Sequence, residues 1–399
     1  MGREDLPMPW KATCAMNERL GFVCEVERGE RTVSELCRVF GISRKTGHKW
    51  LDRYQERGEA GLEERSRAPH HHPGAMSQET ATEIVRLRRR YPDWGPVKLL
   101  DWLERRRPEL ALPAPCTAAE LLKREGLVKP RGRKRHSTPY GAPFVEAVAP
   151  NDLWSADFKG QFRMGNGELC YPLTLSDGAS RFFLCCEGLR RPTYAQTHPY
   201  CERTFRDYGL PNAIRTDNGE PFGSCGLGGL SRLSLWWIKL GIIPERIHPG
   251  RPQQNGRHER LHGTLKRGCG VQANLKQQQR AFDRFRQVYN TERSHQALGR
   301  GQTPAMHYQP SLRAYPMRLP ELTYPDTHVV KRVRASGNMR WLGREWYVAG
   351  LLRGEFIGLK PIDDGVWFIF VGPICVGRLN ARHTRIEPIN TLIDVPTLH

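Results

Sequence analysis

The chain has 399 residues, 38% of them hydrophobic, with a formal charge of +20 and a pI near 9.8. That length asks for several domains, and so large a positive excess points to a polyanionic partner, with nothing suggesting a membrane or a small-molecule substrate. Eleven cysteines without a CxxC pair or zinc-finger spacing argue against a structural zinc.

Residues 1–68 read as a helix-turn-helix DNA-binding domain. Thr32 and Glu35 form a capping box ahead of ELCRVF, and Gly41 and Ser43 mark a stop and a new start. On the second helix Thr46, Trp50 and Tyr54 share the packing face. Arg44, Lys45, His48, Lys49 and Arg53 are left for DNA, as on a recognition helix entering the major groove. Gly47 within that helix counts against it, at about 1 kcal/mol relative to Ala. A charged helical hairpin without DNA would share the pattern. APHHHPGAM is a linker whose three histidines read as solvated. Residues 76–130 form a second helical unit of helix-turn-helix or winged-helix kind, with helices at ATEIVRLRRR, PVKLLDWLERRR and TAAELLKREG and a capping box at Thr117 and Glu120. Residues 1–140 hold 28 Lys/Arg against 20 Asp/Glu, so this half is basic enough for DNA. Residues 131–148 are a Pro-broken linker whose Arg131, Arg133, Lys134 and Arg135 suit phosphates.

From residue 149 the periodicity changes. LWSADF, LCYPLTLS and RFFLCCEG read as strands, with Asn166-Gly167 as a hairpin turn. A helix ending at Gly209, the strand AIRT, a short helix at LWWIKLG, the strand IIPERI and two further helices then make a mixed α/β domain over 149–312. Trp154, Trp236, Trp237, Cys185 and Cys186 read as its core, and Asp177 as a turn residue. Residues 320–395 turn to short strands, which read as a small all-β barrel. Its Lys331, Arg332 and Arg334 suit DNA or a solvated edge strand equally.

Three carboxylates carry the chemistry: Asp157 in LWSADFKG, Asp217 in IRTDNGE and Glu259 in RPQQNGRHERLHGTLK. Carboxylates repel when gathered unless cations lie between them, and Mg²⁺ is the usual partner beside a phosphate backbone. His262 and Lys266 follow Glu259 at i+3 and i+7, placed to reach phosphates. Residues 245–300 hold 12 Lys/Arg against 4 Asp/Glu, so the face around this acidic triad is basic.

The order Asp–Asp–Glu, with WSADF, RTDNG, RPQQNGRHERLHGTLK and VYNTERSH, resembles the integrase core of bacterial insertion-sequence transposases, members of the retroviral-integrase-like DDE superfamily. The resemblance spans nearly the whole chain. It implies a ribonuclease-H-like core between N-terminal helix-turn-helix units and the C-terminal barrel. It implies that Asp157, Asp217 and Glu259 are catalytic ligands of two Mg²⁺ or Mn²⁺ ions. Asn218 and Gly219 would shape the turn after Asp217, and Asn255 and Gly256 would position the last helix. The implied activity is cleavage at element ends and strand transfer into target DNA, by a homo-oligomer of a soluble, cytoplasmic, nucleoid-associated protein. Ser294 stands where such proteins often carry Pro before His295. The 41 residues between Asp217 and Glu259 include a Gly-rich stretch, FGSCGLGGLSRLS, which reads as a flexible loop that either touches DNA or only connects. A DNA-binding regulator without catalysis, or a nuclease acting on RNA–DNA hybrids, would share the core.

Overall fold

The computed structural model describes residues 14–64, 75–128, 147–248, 250 and 252–389, and divides at Ala75 into two units. The linker histidines and Arg131, Arg133, Lys134 and Arg135 lie outside the described residues.

The N-terminal unit holds α1 (Ala15–Arg28), α2 (Val33–Val39) and α3 (Arg44–Arg57). The Thr32 N–H donates to the Glu35 carboxylate at 2.9 Å while the Thr32 hydroxyl accepts from the Glu35 N–H, so the capping box forms. Ser43 caps α3 by accepting from Thr46 N–H. Trp50 closes a small core with Phe22, Val23, Leu36, Cys37 and Leu62. Gly47 is explained by this packing. A Cβ there would lie 2.6 Å from Cys37 Sγ and 3.0 Å from the Phe22 ring, so glycine lets α3 approach α1 and α2. Gly47→Leu is expected to lose about 1–3 kcal/mol by overpacking. Hydrogen exchange should report it as faster exchange across α1–α3 alone; unchanged protection there would show that the core yields to the added side chain.

The second unit begins with α4 (Gln78–Arg90), α5 (Pro96–Arg106) and α6 (Pro115–Arg124), packed through Ile84, Leu87, Trp94, Leu99, Leu103 and Leu122. The capping box expected at Thr117 and Glu120 does not form. α6 starts earlier, with Pro115 at its first position and Ala114 as an N-cap without a side-chain bond. Proline's fixed φ and missing N–H suit that position, which puts Thr117 already inside the first turn.

An α/β domain follows: β1 (Leu153–Phe158), β2 (Phe162–Arg163), β3 (Leu169–Asp177), β4 (Phe183–Leu189), α7 (Tyr194–Tyr208), β5 (Ala213–Thr216), α8 (Arg232–Lys239), β6 (Ile243–Arg246), α9 (Gly256–Gly268) and α10 (Leu275–Thr291). β4, β3 and β1 pair antiparallel, and β5 and β6 then run parallel to β1, giving the order β4-β3-β1-β5-β6. Trp154, Phe205, Trp236 and Trp237 fill one face of this sheet, and Cys186, Leu261, Leu265 and Phe282 the other. Three antiparallel strands followed by two parallel ones, covered by helices on both faces, is the ribonuclease-H-like arrangement. Asp177 is a buried knot in the turn after β3, accepting from the N–H groups of Asn151 and Ser180.

The helical unit is latched to this domain just past α10. Tyr91 Oη and Trp102 Nε1 donate to the Glu292 carboxylate at 2.7 and 2.9 Å, and Ser294 Oγ donates to the buried carboxylate of Asp101. Ser294 therefore makes a bond that a proline could not.

The C-terminal residues form an all-β unit of β7 (Val329–Arg332), β8 (Asn338–Trp341), β9 (Arg344–Tyr347), β10 (Phe356–Asp363), β11 (Val366–Val371), β12 (Ile374–Asn380) and β13 (Arg385–Pro388). The ladder is open, in the order β13-β12-β11-β10-β7, and the separate β8–β9 hairpin lies against both edge strands in place of a continuous hydrogen-bonded barrel. The Gly-rich stretch before α8 is packed, which corrects the expectation of a flexible loop. Gly228 has φ of +60°, and a Cβ there would lie 2.9 Å from Val376 Cα on β12. Leu230, Leu235 and Ile238 share one apolar core with Ile357, Leu359, Ile369 and Val376.

Candidate active site

Asp157 and Asp217 are brought level by strand pairing. β1 and β5 run parallel with Ser155 opposite Arg215, so the same register carried two residues on sets Asp217 beside Asp157. Arg215 and Glu245 tie β5 to β6 through a buried ion pair at 3.0 Å. Past β5 the Gly219 N–H donates to Asp217 Oδ1 at 3.1 Å and Asn218 Nδ2 donates to Ile247 O at 2.8 Å. Both bonds hold the turn that aims Asp217.

Glu259 comes from the first turn of α9. It is exposed, and among the described residues it makes no hydrogen bond or ion pair. Asn255 stands at the N-cap of α9 without a side-chain capping bond, and open space surrounds Gly256.

What fixes α9 to the sheet is a buried polar ladder. His258 and His262 lie one turn apart on its inner face, 1% and 9% exposed. Thr174, opposite Asp157 in the β1–β3 register, donates its one hydroxyl hydrogen to Asp157 O at 2.9 Å. Its lone pairs stand 2.8 Å from His258 Nε2 and 2.7 Å from His262 Nε2. Both imidazoles must therefore donate from Nε2, and Ser176 Oγ supplies the hydrogen for His258 Nδ1 at 2.8 Å. His262 Nδ1 then faces Asp157 Oδ2 at 3.8 Å as a lone pair. Burial, with the charge of Lys159 added, pushes the His262 imidazole down to about 4, so it is neutral.

Asp157 feels the other two carboxylates. Burial first, then the charges of Asp217 and Glu259, push Asp157 up to about 7, and burial raises Asp217. Among the described residues no three His, Cys, Asp or Glu side chains stand close enough to hold a metal as they are.

Residues 147–252 and 240–304 match models of the integrase core domain, and 18–70 and 46–122 match helix-turn-helix and homeodomain-like domain models. Residues 147–304 thus carry an integrase core domain. It is 28% identical over 185 residues to an uncharacterized protein of insertion element IS407 from Burkholderia multivorans, covering 45% of this chain and 63% of that one. It is 27% identical over 236 residues to an uncharacterized protein of insertion element IS476 from Xanthomonas euvesicatoria, covering 57% of this chain and 64% of that one. The chain thus spans just under two thirds of the length of these curated relatives. Among solved structures it is similar to a simian T-cell lymphotropic virus intasome in complex with PP2A regulatory subunit B56 gamma, at 16% identity and a TM-score of 0.36, covering 76% of this chain and 95% of that one. The HTLV-2 integrase catalytic core domain in complex with magnesium is similar at 17% identity and a TM-score of 0.31, covering 40% of this chain and 98% of that one. No helix among the described residues is long and apolar enough to cross a membrane.

In the helix-turn-helix domain Arg44, Lys45, His48 and Lys49 are exposed along α3. Arg53 is half-buried with its guanidinium 5.0 Å from the Trp50 ring centre. In the integrase core Lys266 faces solvent, but His262 does not. Its ring is spent on Thr174, which corrects its placement among phosphate-reaching residues. The ladder of Thr174, Ser176 and His258 escaped the sequence reading. Its signal was present in the four-residue spacing of His258 and His262 and the two-residue spacing of Thr174 and Ser176, which put each pair on one face.

Proposed function

We propose that this chain is a DDE transposase that cleaves DNA at the ends of an insertion element and transfers the freed strands into target DNA. The observation that carries this reading is the parallel register aligning Asp157 with Asp217, together with a Glu259 charge felt at Asp157. The donor set fits hard divalent cations: all-oxygen ligands, one of them raised by burial first and then by the charges of the other two, and a third free of any partner among the described residues. Asp157, Asp217 and Glu259 would hold two Mg²⁺ or Mn²⁺ ions, which when bound supply charge stabilisation for in-line phosphoryl transfer.

The chain's own residues do the rest. Thr174, His258 and His262 fix α9, and with it Glu259, against the strand that carries Asp157. The Gly219 N–H holds the Asp217 carboxylate, and Asn218, bonded to Ile247 O, holds the turn around it. Arg257, Arg260 and Lys266, exposed on α9 beside Glu259, offer their charges to backbone phosphates. In the first reaction a water oxygen attacks phosphorus and the 3′ oxygen leaves with a proton as a free hydroxyl. In the second that hydroxyl attacks a target phosphodiester, forming one P–O bond as another breaks. Joining two ends at one target requires two copies of the core, so the working form is a homo-oligomer on DNA.

The reading is tested with a labelled duplex from the DNA flanking the gene, incubated with Mg²⁺, Mn²⁺ or EDTA. Metal-dependent products from wild type and none from Asp157→Asn are expected. Tight binding without products in any metal would make the chain a DNA-binding regulator; equal cleavage of an RNA–DNA hybrid would make it a hybrid-directed nuclease. A second expectation concerns α3. Replacing Arg44, Lys45 and Lys49 by Gln should weaken binding to element ends more than to random duplex, since base contacts specify and phosphate contacts only position. Equal losses in a competition titration would leave α3 an electrostatic role alone.

A further inference from the structure

Where the helical unit meets the integrase core, cations outnumber the carboxylates beside them: Asp93 lies near Arg293 and Lys98, Asp101 near Lys98 and Asp177 near Arg181. Arg293 lies 5.7 Å from the Tyr289 ring centre, and its Nη1 is 3.4 Å from His295 Nε2. Its buried Nε has no hydrogen-bond partner. Burial, then the charges of Arg293, Lys98 and Arg181, push His295 down to about 3, so three cations surround one neutral ring. Lys98, reaching over from α5, is half-buried and makes no hydrogen bond or ion pair among the described residues. Towards α9, Arg181 and Arg257 donate to the same carbonyl, Gly178 O, at 2.8 and 3.4 Å, and Arg260 adds its charge to theirs. The carboxylates near Lys98 are Asp93 and Asp101, and Asp101 is already bonded by Ser294.

Each cation lies within charge range of the next: Arg257 and Arg260 act on Arg181, Arg181 and Arg293 on His295, and Arg293 on Lys98. The row starts on either side of Glu259, passes through Arg181 to Arg293, and ends on Lys98 of a different domain. A single small anion would need one enclosed cradle, whereas a row of guanidinium and ammonium groups, exposed at Arg257 and Arg260 and half-buried at Arg181, Arg293 and Lys98, suits a polymer of phosphates. We propose that this seam is a backbone track for duplex DNA, on which Arg260, Arg257, Arg181, Arg293 and Lys98 receive phosphates of the strand leading to Glu259. The inference rests on the nucleic-acid reading above and deepens it. The helical unit, locked to the core by Glu292 and Ser294, contributes affinity through clamped phosphate contact.

The test uses the full chain, a random-sequence duplex and EDTA, so that neither element-end recognition nor catalysis enters. Lys98→Gln and Arg181→Gln are compared with wild type by titration over a range of KCl concentrations. Each variant should weaken binding about five- to tenfold at 0.1 M salt and lower the salt slope by about one. For Lys98→Gln, which removes no hydrogen bond among the described residues, the thermal midpoint of the free protein should hold or rise, because crowding among cations is relieved. Unchanged affinity and slope would overturn the track. So would weaker binding accompanied by a lowered midpoint in Lys98→Gln, which would make it a packing residue. Failure of metal-dependent cleavage would leave this result standing, since no metal is present.

Discussion

Glu259→Gln is expected to leave the thermal midpoint unchanged and to remove strand cleavage. The side chain is exposed and makes no bond within the described residues, so its loss falls among surface changes within about ±0.5 kcal/mol. On the proposed reading it supplies a metal ligand, and losing several kcal/mol of charge stabilisation means about a thousandfold or more in rate. DNA affinity in EDTA should stay at the wild-type value. Cleavage within tenfold of wild type in Mg²⁺ would remove Glu259 from the triad.

Thr174→Val should give the opposite signature. Valine matches the shape of threonine but takes away the oxygen that His258 and His262 both bond and the hydrogen given to Asp157 O. Two buried imidazole N–H groups are then left without acceptors, at about 1–3 kcal/mol each. Both the thermal midpoint and cleavage should fall, because α9 loses its anchor opposite Asp157. Thr174→Ser restores the hydroxyl and should recover most of both. A Val variant as stable as wild type, or a Ser variant no better than Val, would show that the ladder does not hold α9.

Much of this architecture was legible in the residues. Short apolar runs bounded by turn residues placed the strands of the α/β domain, Asn166-Gly167 placed the hairpin turn, and Gly209 placed the end of α7, because each of these signals is local. Long-range packing was not legible. Gly47 counted against a helix on propensity alone, since its reason lies in Cys37 and Phe22 on two other helices. Thr117 and Glu120 carried the spacing of a capping box, but Pro115 starts the helix sooner. β8 and β13, four residues each, are too short to show a period. His262 looked like a basic residue near the active site until its buried partner on β3 was known.

The packing of the Gly-rich stretch changes where this chain can be cut. Sequence boundaries invite a core fragment ending near residue 312, with the β unit as a detachable tail. Yet Leu230, Leu235 and Ile238, which lie between Asp217 and Glu259, take their apolar neighbours from β10, β11 and β12. A fragment ending at 312 would bare those side chains on the segment linking Asp217 to Glu259, and would be prone to aggregate. Exchanging cores between relatives meets the same obstacle: the segment between Asp217 and Glu259 and the β unit have to be transplanted together.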